Sequence, residues 1–415
     1  MREMKDSGVE WIGEIPVSWQ ILTIGSVFKV RNEKVNDTDY PPLSVTKGGV
    51  VPQMENVAKS DANDNRKMVL SNDFVINSRS DRKQSCGVSP MDGSVSLINT
   101  VLYPANGSPV IPAYLNYLLK NYGFAEEFYR WGHGIVADLW TTRWQEMKSI
   151  LLPIPSMGEQ QQILEVISEK TDKVDTLIAN VEAQIEKLKD YKQSLITEVV
   201  TKGLAPTVPM KDSGVAWIGE IPAHWEIKRG KALFKETEVR SADGSEELLT
   251  VSQYTGITPR SQKNVTMFEA LSLEGYKICE IGDIAANTMW LWAGAIGVSE
   301  YRGVISPSYN VYRQRGNDFI PRYLDHLLRA PMLVQEYASL STGIRASRLR
   351  LYPKDFLNIH FPVPPLEEQQ AILDALSSKC SAVDRLISIK RAKIEKLEQY
   401  KRSLIYEYVT GKKEA

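Results

Sequence analysis

Between Glu159 and Gly203 the apolar residues fall at Val174, Ile178, Val181, Ile185, Leu188, Tyr191, Leu195 and Val199. Steps of three and four put them on one helix face, close to a heptad seam. No Gly or Pro interrupts the run from Glu159 to Lys202. Ser156-Met157-Gly158-Glu159 reads as a capping box at its start, and Gly203 as its C-terminal stop. A helix of this length extends roughly 60 Å at about 1.5 Å per residue.

The pattern returns. EQQQIL from Glu159, VDTLI from Val174 and IEKLKDYKQSLITEVVT from Ile185 recur 209 positions later as EQQAIL, VDRLI and IEKLEQYKRSLIYEYVT. The second seam runs through Val383, Ile387, Ile394, Leu397, Tyr400, Leu404 and Tyr408, with Lys390 at the counterpart of Val181. Two long helices with matching seams in one chain are expected to pack on each other. The alternative is two amphipathic helices lying on separate cores.

The repeat reaches beyond the helices. MKDSGVEWIGEIPVSW from Met4 returns as MKDSGVAWIGEIPAHW from Met210, an offset of 206. Its Asp-Ser-Gly and Gly-Glu-Ile-Pro steps are turn chemistry, so a structured irregular segment is expected. Trp11, Trp19, Trp217 and Trp225 are read as packing residues. The regions 20–152 and 226–361 have diverged, yet Asn72–Ser78 matches Gly282–Thr288 and Gly87-Val88-Ser89 matches Gly297-Val298-Ser299. These short β-branched runs bounded by turn residues read as strands. Ile111-Pro112-Ala113-Tyr114-Leu115 matches Ile320-Pro321-Arg322-Tyr323-Leu324, a short helix with Pro in its first turn. The expected fold class is α+β: two similar globular domains separated by two long helices that form an antiparallel coiled coil, pseudo-twofold symmetric by tandem duplication. The expected segments are 1–155, 156–203, 204–364 and 365–415.

Composition narrows the function. Of 415 residues, 43% are hydrophobic and 24% charged, with a formal net charge of −1. No global field favours a polyanion, so any nucleic-acid surface must come from local clusters. Cys86, Cys279 and Cys380 lie far apart without C-x-x-C spacing, which argues against a disulfide framework or a zinc site. Without a signal peptide or an apolar run near 18 residues, a cytoplasmic protein is expected.

Catalytic signatures are missing. There is no P-loop, and Gly132-His133-Gly134 lacks the third glycine and the preceding strand of a dinucleotide fingerprint. No Asn-Pro-Pro or Asp-Pro-Pro segment of an amino-methyltransferase occurs. Glu226-Ile227-Lys228 fits half of a nuclease site, but its repeat counterpart is Gln20-Ile21-Leu22. Nothing assembles a nucleophile, a base and an oxyanion hole. The chain reads as a binder, not an enzyme, with no cofactor and no metal of its own.

Loops that mix cations, amides and aromatics are the candidate DNA contacts, because Arg, Lys, Asn and Gln reach phosphates and base edges. In the first half these are Lys47, Asn77, Arg79, Arg82, Lys83, Gln84, Arg130, His133 and Arg143, with Trp131 and Trp144 interleaved. In the second they are Arg260, Gln262, Lys263, Asn287, Trp290, Arg345, Arg348 and Arg350.

These features together resemble the DNA-specificity (S) subunit of a Type I restriction–modification system. The carriers are the twice-used W-I-G-E-I-P-x-x-W phrase, the P-[IV]-P…E-Q-Q-x-I-L entry to each long helix and the I-E-K-L-x-x-Y-[KQR]-x-S-L-I ending, in matching order over nearly the whole chain. The resemblance implies that each variable domain is a target recognition domain reading one half of an asymmetric bipartite site on double-stranded DNA. It implies that the helices set the spacer and dock two methyltransferase (M) subunits. Those partners would bring S-adenosylmethionine and methylate adenine, and two restriction motor (R) subunits would bring ATP and magnesium for cleavage. DNA-contact residues do not carry over by motif, since the recognition domains are what the family varies. A pure assembly scaffold that does not read DNA, and a stand-alone nuclease using Glu226 and Lys228, are the competing readings.

Overall fold

The computed structural model describes residues 2–53, 64–79, 82–134, 140–205, 207–263, 272–343 and 349–415. Compactness divides the chain into two units, Met1–Glu182 with Lys390–Ala415, and Ala183–Ile389. Each unit therefore holds a piece of both long helices.

In the first unit the duplicated phrase forms a small antiparallel hairpin, Met4–Asp6 against Glu14–Pro16. Helix α1 (Ile24–Val27) follows, capped by the Thr23 hydroxyl. A four-stranded antiparallel sheet then orders Cys86–Val88, Phe74–Asn77, Asn99–Pro104 and Phe28–Arg31. A hairpin, Leu43–Thr46 with Gly49–Pro52, lies beside it over a small aliphatic core that includes Val75 and Val101. Helices α2 (Pro112–Leu118) and α3 (Tyr122–Arg130) cover the other face. Short α4 (Trp144–Met147) leads into strand Leu151–Ile154, which pairs with Gln20–Thr23 and feeds α5 (Met157–Lys202).

The second unit repeats this order. Its phrase hairpin is Met210–Asp212 with Glu220–Pro222. Helix α6 (Gly230–Leu233) precedes a sheet of Phe234–Thr237, Asn310–Gln314, Ile284–Ala286 and Ile296–Val298. Helices α7 (Pro321–Leu328), α8 (Pro331–Leu340) and α9 (Pro353–Phe356) follow. Strand His360–Val363 pairs with Glu226–Arg229 and opens into α10 (Leu366–Val409). The expected strands and Pro-initiated helices are found where the internal alignment puts them.

Divergence shows in one buried ion pair. Asp73 and Asp283 occupy matching places and are almost fully enclosed. Asp73 accepts two hydrogen bonds from Arg31 (2.7 and 3.1 Å), whereas Asp283 accepts two from Arg313 (2.7 and 2.6 Å). The two arginines stand on non-equivalent strands of their sheets. The same unpaired carboxylate has been satisfied from two different directions, which a buried charge requires.

Each unit closes its core with the end of the other repeat's helix. Leu404, Tyr408 and Val409 of α10 pack with Trp19, Phe28, Phe74, Tyr114 and Phe128 in the first unit. Leu195, Val199 and Val200 of α5 pack with Trp225, Phe234, Tyr312, Tyr323 and Phe356 in the second. Tyr114 donates from α2 to the Val409 carbonyl (3.2 Å), as Tyr323 donates from α7 to the Val200 carbonyl (2.8 Å). Within the first unit Arg2 bonds both Glu159 and the Gly411 carbonyl, while Lys401 bonds Asp175 (2.6 Å), so α5 and α10 run antiparallel there. Within the second, Gly203 lies against Trp225 and Glu368, and Lys192 bonds Asp384 (2.7 Å). Gly203 (φ +77°) and Gly411 (φ +74°) end the two helices in the left-handed conformation that glycine adopts without strain.

Two expectations need correction. Tyr191 and Tyr400 are 56% and 53% exposed, not seam residues. The half-buried positions beside them, Lys192 and Lys401, lay apolar stems along the pair and deliver ammonium groups to Asp384 and Asp175. The capping box is only half formed: Ser156 Oγ accepts the Glu159 N–H (3.3 Å), but the Glu159 carboxylate turns away to accept the Trp19 indole N–H (2.8 Å). Glu368 likewise accepts Trp225 Nε1 (2.9 Å) and bonds His224 Nε2 (2.7 Å). The next residue is equally committed. Gln160 accepts Ile111 N–H (2.8 Å) and donates to the Pro109 and Pro155 carbonyls, and Gln369 does the same for Ile320, Asp318 and Pro364. The Glu-Gln-Gln signature is thus a clamp joining phrase, short helix and long helix.

Glu159→Ala or Glu368→Ala leaves a buried indole N–H without an acceptor and should cost about 1–3 kcal/mol, read as a lower urea midpoint. The Gln variants keep an acceptor and should cost less. An Ala variant as stable as wild type would remove the clamp from the account. Because each core needs the other repeat's helix end, fragments cut between Lys202 and Met210 should reassociate on co-expression. Adding Leu195→Asp and Leu404→Asp should abolish that association by burying unpaired charge. Fragments that purify separately without those substitutions would contradict the exchange.

Candidate nucleic-acid interface

In the first unit the fold joins three candidate segments that are far apart in sequence. Strand Phe74–Asn77 ends at a turn in which Asn77 Oδ1 accepts the Arg79 N–H (3.1 Å), while buried Ser78 pairs its hydroxyl with Thr100 (2.9 Å). Arg79 and His133 both form β-bridges to Thr141, and the Thr142 N–H bonds the Ser78 carbonyl (3.0 Å). Thr142 Oγ1 also donates to the Phe128 carbonyl at 2.7 Å. Arg79, His133 and Arg143 therefore belong to one knitted loop cluster beside the sheet. Gln84 sits in it at φ +62° and is half-buried, and Arg82 and His133 are exposed. Arg143 is exposed at the start of α4, where its N–H bonds Glu146 (3.1 Å).

Two candidates are committed to carboxylates. Lys83 Nζ bonds Glu126 (2.8 Å) and lies 5.6 Å from the Tyr129 ring centroid. Arg130 bonds Glu127 (2.6 Å) and Glu10 (2.9 Å), and the Glu127 hydrogen bond above all holds its guanidinium pKa up. The Lys83–Glu126 pair is exposed on both sides and can be exchanged for phosphate contacts, whereas Arg130 is held by the buried Glu127. Lys47 stands apart, exposed at the tip of the Leu43–Pro52 hairpin, where Thr46 Oγ1 accepts the Gly48 N–H (3.1 Å) and donates to the Gly49 carbonyl (3.0 Å).

The second unit builds the matching places from different chemistry. After strand Ile284–Ala286, Asn287 is buried: it donates to Tyr309 Oη (3.0 Å) and accepts the Met289 N–H (3.1 Å). It shapes the loop from within. Leu291 is fully buried, whereas Trp290 is 48% exposed and stacks on Trp292, with centroids 5.7 Å apart and planes at 24°. The left-handed Gly294 closes this turn against Val334 of α8. Arg260 and Gln262 lie in a single 3-10 turn after strand Gly256–Pro259, followed by half-buried Lys263, whose ammonium pKa burial pushes down. Arg350 bridges to Thr342 through paired backbone hydrogen bonds of 2.9 Å. Arg345 and Arg348 lie outside the described residues. Lys228 of the Glu-x-Lys tripeptide is held by Asp318 (2.7 Å) and Glu226 (3.1 Å).

Sequence reasoning missed Tyr254. It is 82% exposed at the tip of the hairpin Leu249–Ser252/Gly256–Pro259, the place Lys47 holds in the first unit. Arg329 fixes that tip by donating to the carbonyls of Gln253 and Tyr254 (3.4 and 2.7 Å), and Gly256 takes φ +65°. The alternation L-T-V-S…G-I-T-P was the available signal.

A family model described as Type I restriction modification DNA specificity domain matches residues 225–399. A Methanocaldococcus jannaschii protein described as the type I restriction enzyme MjaX specificity subunit is 24% identical over 97% of this chain and 95% of its own length. The type I restriction enzyme MjaVIII specificity subunit of the same organism is 28% identical over 64% of this chain and 62% of its own length. A solved chain from a study of complex assembly and conformational transition of the type I R-M system is similar in fold, with a TM-score of 0.61 and 16% identity over 95% of this chain and 98% of that one. The duplicated clamp and the paired long helices stand beside these likenesses: residues 225–399 match the Type I restriction modification DNA specificity domain, and the chain as a whole is similar to specificity subunits of type I restriction enzymes.

Proposed function

We propose that this chain is the DNA-reading, non-catalytic subunit of a Type I restriction–modification complex, and that each unit reads one half of an asymmetric bipartite site. One observation carries the reading. The two units share one framework yet present different chemistry at matching loops: Arg79, Arg82, Lys83 and Gln84 against Met289–Trp292, and Lys47 against Tyr254. Framework kept while contact chemistry changes is what reading two different half-sites demands. The first unit offers cations and amides. The second offers an indole ledge suited to apolar contact with thymine methyl groups.

The long helices dock methyltransferase subunits and set the gap between half-sites in this reading. Support comes from outward apolar residues at repeated positions. Leu177 and Tyr400 are 47% and 53% exposed at one level of the first unit's helix pair, and Leu386 and Tyr191 are 47% and 56% exposed in the second. Two copies of one surface suit two copies of one partner. S-adenosylmethionine and adenine methylation belong to those partners, and ATP-dependent cleavage to motor subunits.

Loop substitutions test this on labelled duplex at stated salt. Trp290→Ala should cost about 1–3 kcal/mol of discrimination at bases of one half-site and leave the other unchanged. Lys47→Ala should weaken all sequences alike and lower the salt slope by about 1. If Trp290→Ala altered both half-sites equally, unit-by-unit reading would fail.

A further inference from the structure

Beside each long helix, within its own unit, lies a cleft at the same place in the repeat. In the first unit it runs between the start of α3 and α10, with a volume of about 1000 Å³, and is lined on α10 by Gln399, Arg402, Ser403 and Tyr406. In the second it runs between the start of α8 and α5, about 520 Å³, lined on α5 by Asp190, Gln193, Ser194 and Thr197. These helix residues correspond one to one at the repeat offset of 209, and each set is an i, i+3, i+4, i+7 stripe on one helix face. The opposite walls correspond too: Tyr122 and Gly123 in one, Pro331 and Met332 in the other.

The position is shared but the chemistry is not. The first cleft has Trp11, Tyr129 and Trp140 in addition to Tyr122 and Tyr406. Tyr122 and Trp140 are 66% and 40% exposed. Its cations differ in availability. Lys83 and Arg130 are already paired with Glu126, Glu127 and Glu10, whereas no hydrogen bond or ion pair engages the exposed Arg402 among the described residues. The second cleft has no aromatic lining residue among those described: it carries Gln193 and Thr197 where the first has Arg402 and Tyr406, and its one cation, Lys202, stands among Asp190 and Glu198.

We propose that the first cleft receives a protein segment of the methyltransferase partner that presents an apolar or aromatic anchor beside a carboxylate, and that it makes the first unit's docking site the tighter of two. This rests on the docking role of the helices proposed above. Both clefts adjoin that face directly, since Tyr400 stands between Gln399 and Arg402, and Tyr191 between Asp190 and Gln193. Identical partner copies therefore bring one segment to two unlike clefts. In the first, the anchor finds aromatic walls and the carboxylate finds a free guanidinium, the residue types that dominate interface energies. In the second, the anchor finds no aromatic wall, and the carboxylate finds Lys202 beside two like charges, Asp190 and Glu198. With Glu10, Glu126 and Glu127 balancing Lys83, Arg130 and Arg402, the first wall carries no net positive charge to draw a phosphate backbone, so protein is the better fit than DNA.

The test titrates the full chain with its methyltransferase subunit and counts bound copies by native mass spectrometry. Wild type should populate a 1:1 complex before 1:2, with the first affinity tighter by about tenfold or more. Arg402→Gln with Tyr122→Ala should erase that gap, because both side chains are exposed and make no hydrogen bond that folding depends on. Gln193→Arg should narrow it from the other side by strengthening the second site. Two equal affinities in wild type would overturn the proposal while leaving the docking role intact. A loss of duplex binding in Arg402→Gln with partner stoichiometry unchanged would overturn it in favour of a DNA groove. Absence of any complex would fell the docking role itself, and this inference with it.

Discussion

Neither repeat can finish its own core. The phrase hairpin, the sheet and the short helices leave an apolar gap beside Trp19 or Trp225, and the final turns of the other repeat's long helix fill it with Leu404, Tyr408 and Val409, or with Leu195, Val199 and Val200. Everything else follows from that exchange. Long helices are needed because each must begin in one unit and end in the other. The seam keeps its three-four spacing throughout because both ends must bury. The Glu-Gln-Gln clamp sits where each helix starts because that junction must hold phrase, short helix and long helix in one register.

The clamp also explains why a signature so short stays so exacting in both copies. Its glutamate accepts an indole N–H, and its first glutamine makes three backbone bonds from a fully buried site. Loss of either would leave buried polar groups unpaired, which costs more than the bonds themselves contribute. By contrast Arg31 and Arg313 show how loosely the sheet interior is specified. Any strand that can aim a guanidinium at Asp73 or Asp283 suffices.

Much of this was legible in the sequence, since apolar periodicity and an exact internal repeat are local signals. The helices, the Pro-initiated α2 and α7 and the matched strands fall where the spacing puts them. Tyr191 and Tyr400 misled because heptad counting cannot tell an apolar residue on the seam from one just outside it, and Lys192 and Lys401 can cover the seam with their stems. Glu159 misled because its partner is 140 residues away. Among the loop candidates, composition cannot reveal that Asn287 points inward to Tyr309, or that Lys83 and Arg130 already hold carboxylates. Tyr254 was invisible to a search for cations and amides, although its hairpin was readable.

The central claim is that the two units read DNA independently on a common framework. Its most direct measurement is a methylation map after residues 20–152 are replaced by those of another specificity subunit. The account predicts that one half of the modified motif changes to the donor's while the other half and the gap stay as they were. A motif that changes in both halves, or in neither, would contradict it.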